Sequence, residues 1–299
     1  EEGKSNSRNG REKTCFFMKR EFMKIVIVGL GVIGGSYAMA LKNAGYEEVY
    51  GIDTNTETLR KAKEMGIIKE GYVEGKEVIK EADINILGIY PNLIKRFIED
   101  NKHNFKDGAI INDVTGIKEL FIDEVLSILP ENIDFVFGHP MAGREKKGIE
   151  YASDEVFKGA NYLITITEKN KESNIEIIEK IVYDLGFSHI KVITPKYHDE
   201  MIGFTSQLPH ALAVALINSD EEGRDTGSFI GDSYRDLTRI ANINEGLWSQ
   251  LFLGNKNNLL KSMKAFEVEF NKILKCIEDE DKEALEKLFI KSSKRREKL

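Results

Sequence analysis

A few side chains have the type and spacing to do chemistry. His139 follows an apolar run, Ile133–Phe137, and stands in Gly138-His139-Pro140. Imidazole titrates near neutrality and can take a proton from a hydroxyl as the attached carbon is oxidised. A histidine at a strand end can also simply cap a turn. His210 lies just after Pro209 in the most apolar helical stretch of the second half, where a satisfied core histidine is the rival reading. Arg239 sits in Tyr234-Arg235-Asp236-Leu237-Thr238-Arg239-Ile240-Ala241. Its guanidinium suits bidentate capture of a carboxylate, or an ion pair with Asp236 three residues earlier. Gln207 could contact a ligand or cap the helix that follows it. Trp248, the one tryptophan, reads as core packing on its own.

These groups need a scaffold, and Lys24–Asp53 begins it. The run Ile25–Val28 suits a buried strand. Gly29-Leu30-Gly31-Val32-Ile33-Gly34 follows as G-x-G-x-x-G, then a helix over Ser36–Asn43 stopped at Gly45, then a second strand over Val49–Ile52. Asp53 closes it, 19 residues past Gly34. Gly29 allows a tight turn, Gly31 lets backbone approach a pyrophosphate, and Gly34 lets helix and strand pack closely. The helix N-terminus offers N–H groups and positive dipole to phosphates. Asp53 can accept both hydroxyls of an adenosine ribose and would repel a 2′-phosphate, which favours NAD over NADP. The alternative is a glycine-rich turn that binds no nucleotide.

The bulk composition sets limits. A chain of 299 residues, 41% hydrophobic and 31% charged, has room for two globular domains. Its formal net charge of −7 and the lack of a basic stripe interleaved with aromatics argue against a nucleic-acid partner. Lys291–Lys298 reads as a solvated helix end. Cys15 and Cys276 are far apart, which gives no metal spacing or disulfide framework and suits a reducing cytoplasm. The apolar stretch Ile25–Leu41 is too short to span a membrane. Residues 1–22 read as a disordered extension without a signal-peptide core, and Met18 and Met23 are plausible starts.

From Met23, strands alternate with helices. Further strands are expected over Ala82–Ile89, Ala109–Asn112, Ile133–Phe137, Asn161–Thr167 and His189–Ile193. Helices are expected over Thr56–Met65, Asn92–Glu99, Ile117–Leu129 and Glu172–Leu185. That alternation implies an α/β domain over 23–194, a doubly wound parallel sheet of Rossmann type. Ligands bind at the carboxyl edge of such a sheet. Tyr90-Pro91, Asp113-Val114-Thr115-Gly116 and His139-Pro140 all fall there. Residues 195–299 read as all helix, over Leu208–Asn218, Arg235–Ala241, Glu245–Lys261, Ser262–Ile277 and Glu278–Arg296. Gly223–Gly231 is a loop. Leu208–Asn218 is apolar nearly all round, which implies burial against a second subunit.

Taken together, G-L-G-V-I-G-G-S, G-H-P-M-A-G-R-E-K-K-G, S-Q-L-P-H-A and R-D-L-T-R-I-A, with a tryptophan soon after, resemble the prephenate/arogenate dehydrogenase family of tyrosine biosynthesis. The resemblance runs from about Lys24 to about Lys275. It implies an NAD-binding domain, a C-terminal helical dimerisation domain and an active site between them. It also implies NAD-dependent oxidative decarboxylation of prephenate to 4-hydroxyphenylpyruvate, or of arogenate to tyrosine. His139 matches the family histidine that accepts the proton of the 4-hydroxyl. Arg239 matches the arginine that holds a substrate carboxylate, and His210 a second-domain histidine of the same pocket. Arg235 and Asp236 fall near that pocket, and Trp248 is placed to reach over from the partner subunit. Arg144 and Glu145 fall at its mouth. Two departures stand out. Gly116 occupies the place of a family serine that bonds the catalytic histidine, so Thr115 is the candidate for the missing hydroxyl. Gln207 stands where some members have histidine. Rival readings are a β-hydroxy-acid dehydrogenase, which would need a buried helical lysine not found here, and a non-catalytic NAD-binding module.

Overall fold

The computed structural model describes residues 20–143 and 146–299. Eight strands form one sheet in the order β3-β2-β1-β4-β5-β6-β7-β8. They are β1 (Ile25–Val28), β2 (Val49–Ile52), β3 (Glu70–Tyr72), β4 (Ile84–Leu87), β5 (Ile110–Asp113), β6 (Asp134–Pro140), β7 (Asn161–Thr165) and β8 (His189–Ile193). The central strands are apolar on both faces because helices cover both. Ile25 and Ile27 of β1 face a core with Tyr37 and Leu41 of α1 (Val32–Asn43) and Ile178 of α6 (Glu172–Asp184). Val26 and Val28 face the opposite core, with Val78 of α3 (Lys76–Ile79), Ile94 of α4 (Pro91–Asn101) and Val125 of α5 (Ile122–Ile128). Helix α2 (Thr56–Glu64) completes the set, its first turn capped by the Asn55 side chain.

Three sequence expectations change. Strand β3 lies on a short polar edge segment with no run of apolar residues to announce it. The sheet is not all parallel: β7 runs antiparallel to β6, and β8 follows β7 in parallel. Parallel neighbours need a crossover helix, whereas antiparallel ones need only a loop. Between Pro140 and Asn161 the described chain has only two 3-10 turns, Ile149–Tyr151 and Asp154–Phe157, which pack on α1. The expected helix over Ile117–Leu129 begins only at Ile122.

The C-terminal part is helical. It comprises α7 (Pro195–Ile202), a π turn (Gly203–Gln207), α8 (Leu208–Asn218), α9 (Asp232–Thr238), a 3-10 turn (Arg239–Ala241), α10 (Glu245–Gly254), α11 (Lys256–Glu278) and α12 (Lys282–Arg296). The expected boundary at Lys261 is instead a break at Asn255. In α8 only Leu208 and Ala213 are buried by the chain itself, while Leu216 and Ile217 are exposed. Residues 1–19 of the expected disordered extension lie outside the described residues. Residues 20–22 are ordered: Arg20 pairs with Asp184 at 2.5 Å and lies over the Tyr46 ring. No helix among the described residues is long and apolar enough to cross a membrane.

Candidate active site

The glycine turn has the geometry its sequence demands. Gly29 takes φ +86°, and a Cβ there would stand 2.6 Å from the Gly88 carbonyl oxygen. A Cβ on Gly34 would stand 1.8 Å from the Gly29 carbonyl, so α1 could not close on β1 with any other residue. Gly31 is different: a Cβ there would meet nothing within 4 Å. It is the N-cap of α1, and no side chain caps that helix. Its first-turn N–H groups therefore face open space, beginning with Val32 and Ile33. Asp53 follows β2. Its carboxylate accepts the Leu30 N–H at 2.8 Å and the Asn55 N–H at 2.9 Å. Those bonds fix its orientation, and each oxygen keeps a second acceptor direction.

At the ends of β5 and β6 a buried ion pair replaces an expected ligand. Asp113 and Lys118 are both fully buried, with Nζ 2.5 Å from the carboxylate. Asp113 also accepts the N–H groups of Thr115 and Gly138, at 3.0 and 3.1 Å. Lys118 also donates to the Gly138 carbonyl at 2.6 Å. Asp113 was expected to meet the cofactor, but its carboxylate instead ties the β5 end to the residue before His139. Thr115 is corrected likewise. Its hydroxyl lies among the Asp113 carboxylate, the Ile117 carbonyl and the Lys118 ammonium, not beside the histidine. Gly116 is the residue at that point: a Cβ on it would stand 3.6 Å from His139 Nε2.

His139, half-buried in β6, points its other nitrogen inward. Nδ1 lies 2.9 Å from Nε2 of His198, and Nδ1 of His198 lies 2.7 Å from Oδ1 of Asp199. Both partners come from α7 and are fully buried. Asp199 accepts the Lys118 N–H through Oδ1 at 2.9 Å and the Glu119 N–H through Oδ2 at 2.8 Å. Those two N–H groups anchor the carboxylate to the segment that follows β5. Burial, reinforced by His198 and then Lys118, holds His139 well below the ordinary imidazole range. Burial and then the Lys118 charge push His198 down to about 2. Burial pushes Asp199 up to about 6 against the opposing pull of its two N–H donors. The sequence reading missed His198, Asp199 and Lys118. The available signal was Thr194-Pro195, a helix start, placing His198-Asp199 in the first turns behind the last strand.

Helix α10 joins this cluster to the helical part. Leu251 packs against Gly116, beside His139. Asn244 donates to the Tyr90 hydroxyl at 2.9 Å, and Gln250 accepts the Asn92 N–H at 3.3 Å, next to Pro91 at the start of α4. Trp248 stacks on His210 of the same chain, with ring centroids 3.7 Å apart. His210 donates from Nδ1 to the Ser206 carbonyl at 2.8 Å. Gln207 is buried: its amide donates to the Leu251 carbonyl at 2.8 Å and accepts from Asn255 at 2.9 Å. It braces α10 from behind and does not face the cleft. Arg239 is exposed in the 3-10 turn that packs on α8. Arg235 pairs with Asp232 on its own exposed helix, and Asp236 is exposed beside it. Arg144 and Glu145 lie outside the described residues.

Known proteins share this layout. Residues 37–191 match the family model "Prephenate dehydrogenase, nucleotide-binding domain", and residues 194–291 match "Prephenate dehydrogenase, dimerization domain". The prephenate dehydrogenase of Bacillus subtilis is 29% identical over 274 residues, 89% of this chain and 73% of that one. The crystal structure of Aquifex aeolicus prephenate dehydrogenase in complex with hydroxyphenyl propionate and NAD+ superposes with a TM-score of 0.84 at 30% identity, covering 92% of this chain and 98% of that one. Synechocystis arogenate dehydrogenase superposes at 0.77 with 26% identity, covering 92% and 99%. With both of the family's domain models matched in order across most of its length, this chain belongs to the prephenate dehydrogenase family.

Proposed function

We propose that the chain is an NAD-dependent prephenate dehydrogenase that works as a homodimer. The observation that carries the reading is His139 at the end of β6, with Nδ1 tied to His198 and Nε2 facing Gly116 and α10. The turn fits a dinucleotide, with an uncapped helix N-terminus, open space over Gly31 and a pre-oriented Asp53. NAD, when bound, accepts the hydride that leaves C4 of the substrate. His139 Nε2 takes the 4-hydroxyl proton as the C4–O bond becomes a carbonyl. Loss of the ring carboxylate as CO2 sends its bonding pair into the ring, and the new phenolate oxygen regains the proton from His139. The proton is borrowed, so the base must hold it briefly and give it back. Arg239 and His210, on elements packed against each other, would hold the substrate's carboxylates and ring in this reading. Exposed Leu216 and Ile217 on α8, with Phe266, Phe270 and Ile273 on α11, form the apolar surface for the second subunit.

Initial rates with prephenate and arogenate, each with NAD and NADP, test the reading. Faster turnover of arogenate at equal concentration overturns the substrate assignment. Asp53→Ser is expected to lower the preference for NAD over NADP by about tenfold or more, as one ribose acceptor and one repelling charge are removed. An unchanged ratio of the two kcat/KM values would move cofactor choice to another residue.

A further inference from the structure

We propose that His198 and Asp199 form a two-step proton relay behind His139, which keeps Nε2 of His139 bare for the substrate and shelters the borrowed proton on Asp199. The inference rests on the dehydrogenase reading for its chemistry, but its geometry stands apart from it. An ionised carboxylate only accepts hydrogen bonds. Asp199 already accepts the Lys118 and Glu119 N–H groups, so at the 2.7 Å contact His198 Nδ1 must donate. A neutral His198 then has an acceptor at Nε2, so at the 2.9 Å contact His139 Nδ1 must donate. That leaves Nε2 of His139 with a lone pair and no hydrogen. The chain of donors fixes both the tautomer and the ring plane.

The same bonds carry the proton onward. When Nε2 takes the hydroxyl proton, the Nδ1 proton of His139 passes to Nε2 of His198. The Nδ1 proton of His198 passes to Oδ1 of Asp199. Each ring ends neutral and Asp199 ends as a carboxylic acid. The array goes from one negative charge to none, and no imidazolium forms. The reverse shift returns the proton to the phenolate oxygen. The setting favours this course. Lys118 lies close enough to oppose positive charge on either ring, and burial opposes it as well. Burial instead favours the neutral form of Asp199, which protonates at about 6. The other charged groups around the array do not supply a rival proton site. Asp113 is committed to Lys118, the Glu119 side chain is exposed, and Lys261 of α11 pairs with Glu200 on the outer side of α7. Asn255, which donates to the Asp199 carbonyl, is neutral.

Asp199→Asn tests the relay, because an amide cannot take up the proton that His198 passes on. Its kcat is expected to fall about 100-fold, with KM for both substrates changed by less than about threefold. In the wild type, protonation of Asp199 removes the base as pH falls, so kcat/KM should decline through about pH 6. In the variant that limb should move to lower pH. His198→Gln, which cuts the link to Asp199, should lose a similar factor, and the double variant should lose no more than either single one. Nitrogen-15 NMR of histidine-labelled protein without substrate should show His139 protonated at Nδ1 and bare at Nε2 in the wild type. That readout holds whichever substrate the enzyme turns over, so it separates failure of the relay from failure of the substrate assignment. Wild-type His139 protonated at Nε2 overturns the relay. So does a folded, NAD-binding Asp199→Asn with kcat within about fivefold of wild type. If Asp199→Asn does not fold, His198→Gln with near-normal kcat overturns it equally.

Discussion

Replacement of His139 by asparagine should leave NAD binding intact and lower kcat by about a thousandfold or more. The size follows from the job assigned to Nε2. A positioned general base contributes roughly 10²–10⁴ in rate, and the other side chain beside Gly116 is Leu251, which cannot take over. Asparagine fills a similar space at the ring's near end but carries no basic lone pair at the position of Nε2. His139 lies on β6 and the glycine turn follows β1, with β4 and β5 between them in the sheet, so the nucleotide turn should be undisturbed. Titration of NAD by protein fluorescence and steady-state rates on prephenate check both halves. A variant with normal turnover would remove His139 from the mechanism. Lost NAD affinity would point to a structural role.

Arg239→Ala should act on the other kinetic constant. A guanidinium–carboxylate contact is strengthened by charge and by two parallel hydrogen bonds, and its loss costs about 2–4 kcal/mol, or a factor of roughly 30 to 1,000. The carboxylate that the proposed reading assigns to it is present in both ground state and transition state, so the loss should appear chiefly as a raised KM for prephenate. Arg239→Lys should recover part of it, since it keeps charge but not the planar fork. The KM for NAD should not change. A fall in kcat with unchanged KM would instead place Arg239 on the carboxylate that leaves.

What the sequence made legible follows how local each feature is. The glycine turn and Asp53 could be read because strand, turn, helix and acid are consecutive, and each rule acts within a few residues. His139 could be read because it ends an apolar run at the ligand edge. His198 and Asp199 could not, because polar residues in a short helix are ordinarily expected to face water. Their burial depends on Lys118 and Glu119, about eighty residues earlier, turning their N–H groups toward the carboxylate. Asp113 and Thr115 were placed at the correct edge but given the wrong task, since nothing near them in sequence marks Lys118 as buried. Helix α8 was read correctly in extent, and its two exposed apolar side chains agree with the subunit contact inferred from its composition.

The reversal of direction at β7 has an evolutionary consequence. Pro140 and Asn161 both open on the ligand edge, and Pro140 pairs directly with Tyr162. A change of length in the segment between them need not thread the sheet or re-register a strand, provided that Ile149 and Phe157 stay anchored in the core against α1. Doubling such a loop adds only about 0.6 kcal/mol of closure entropy. What limits revision of this connection is thus its packing on α1 and not the topology of the sheet, so it can change while His139 and the hydrogen-bonded array behind it stay in place.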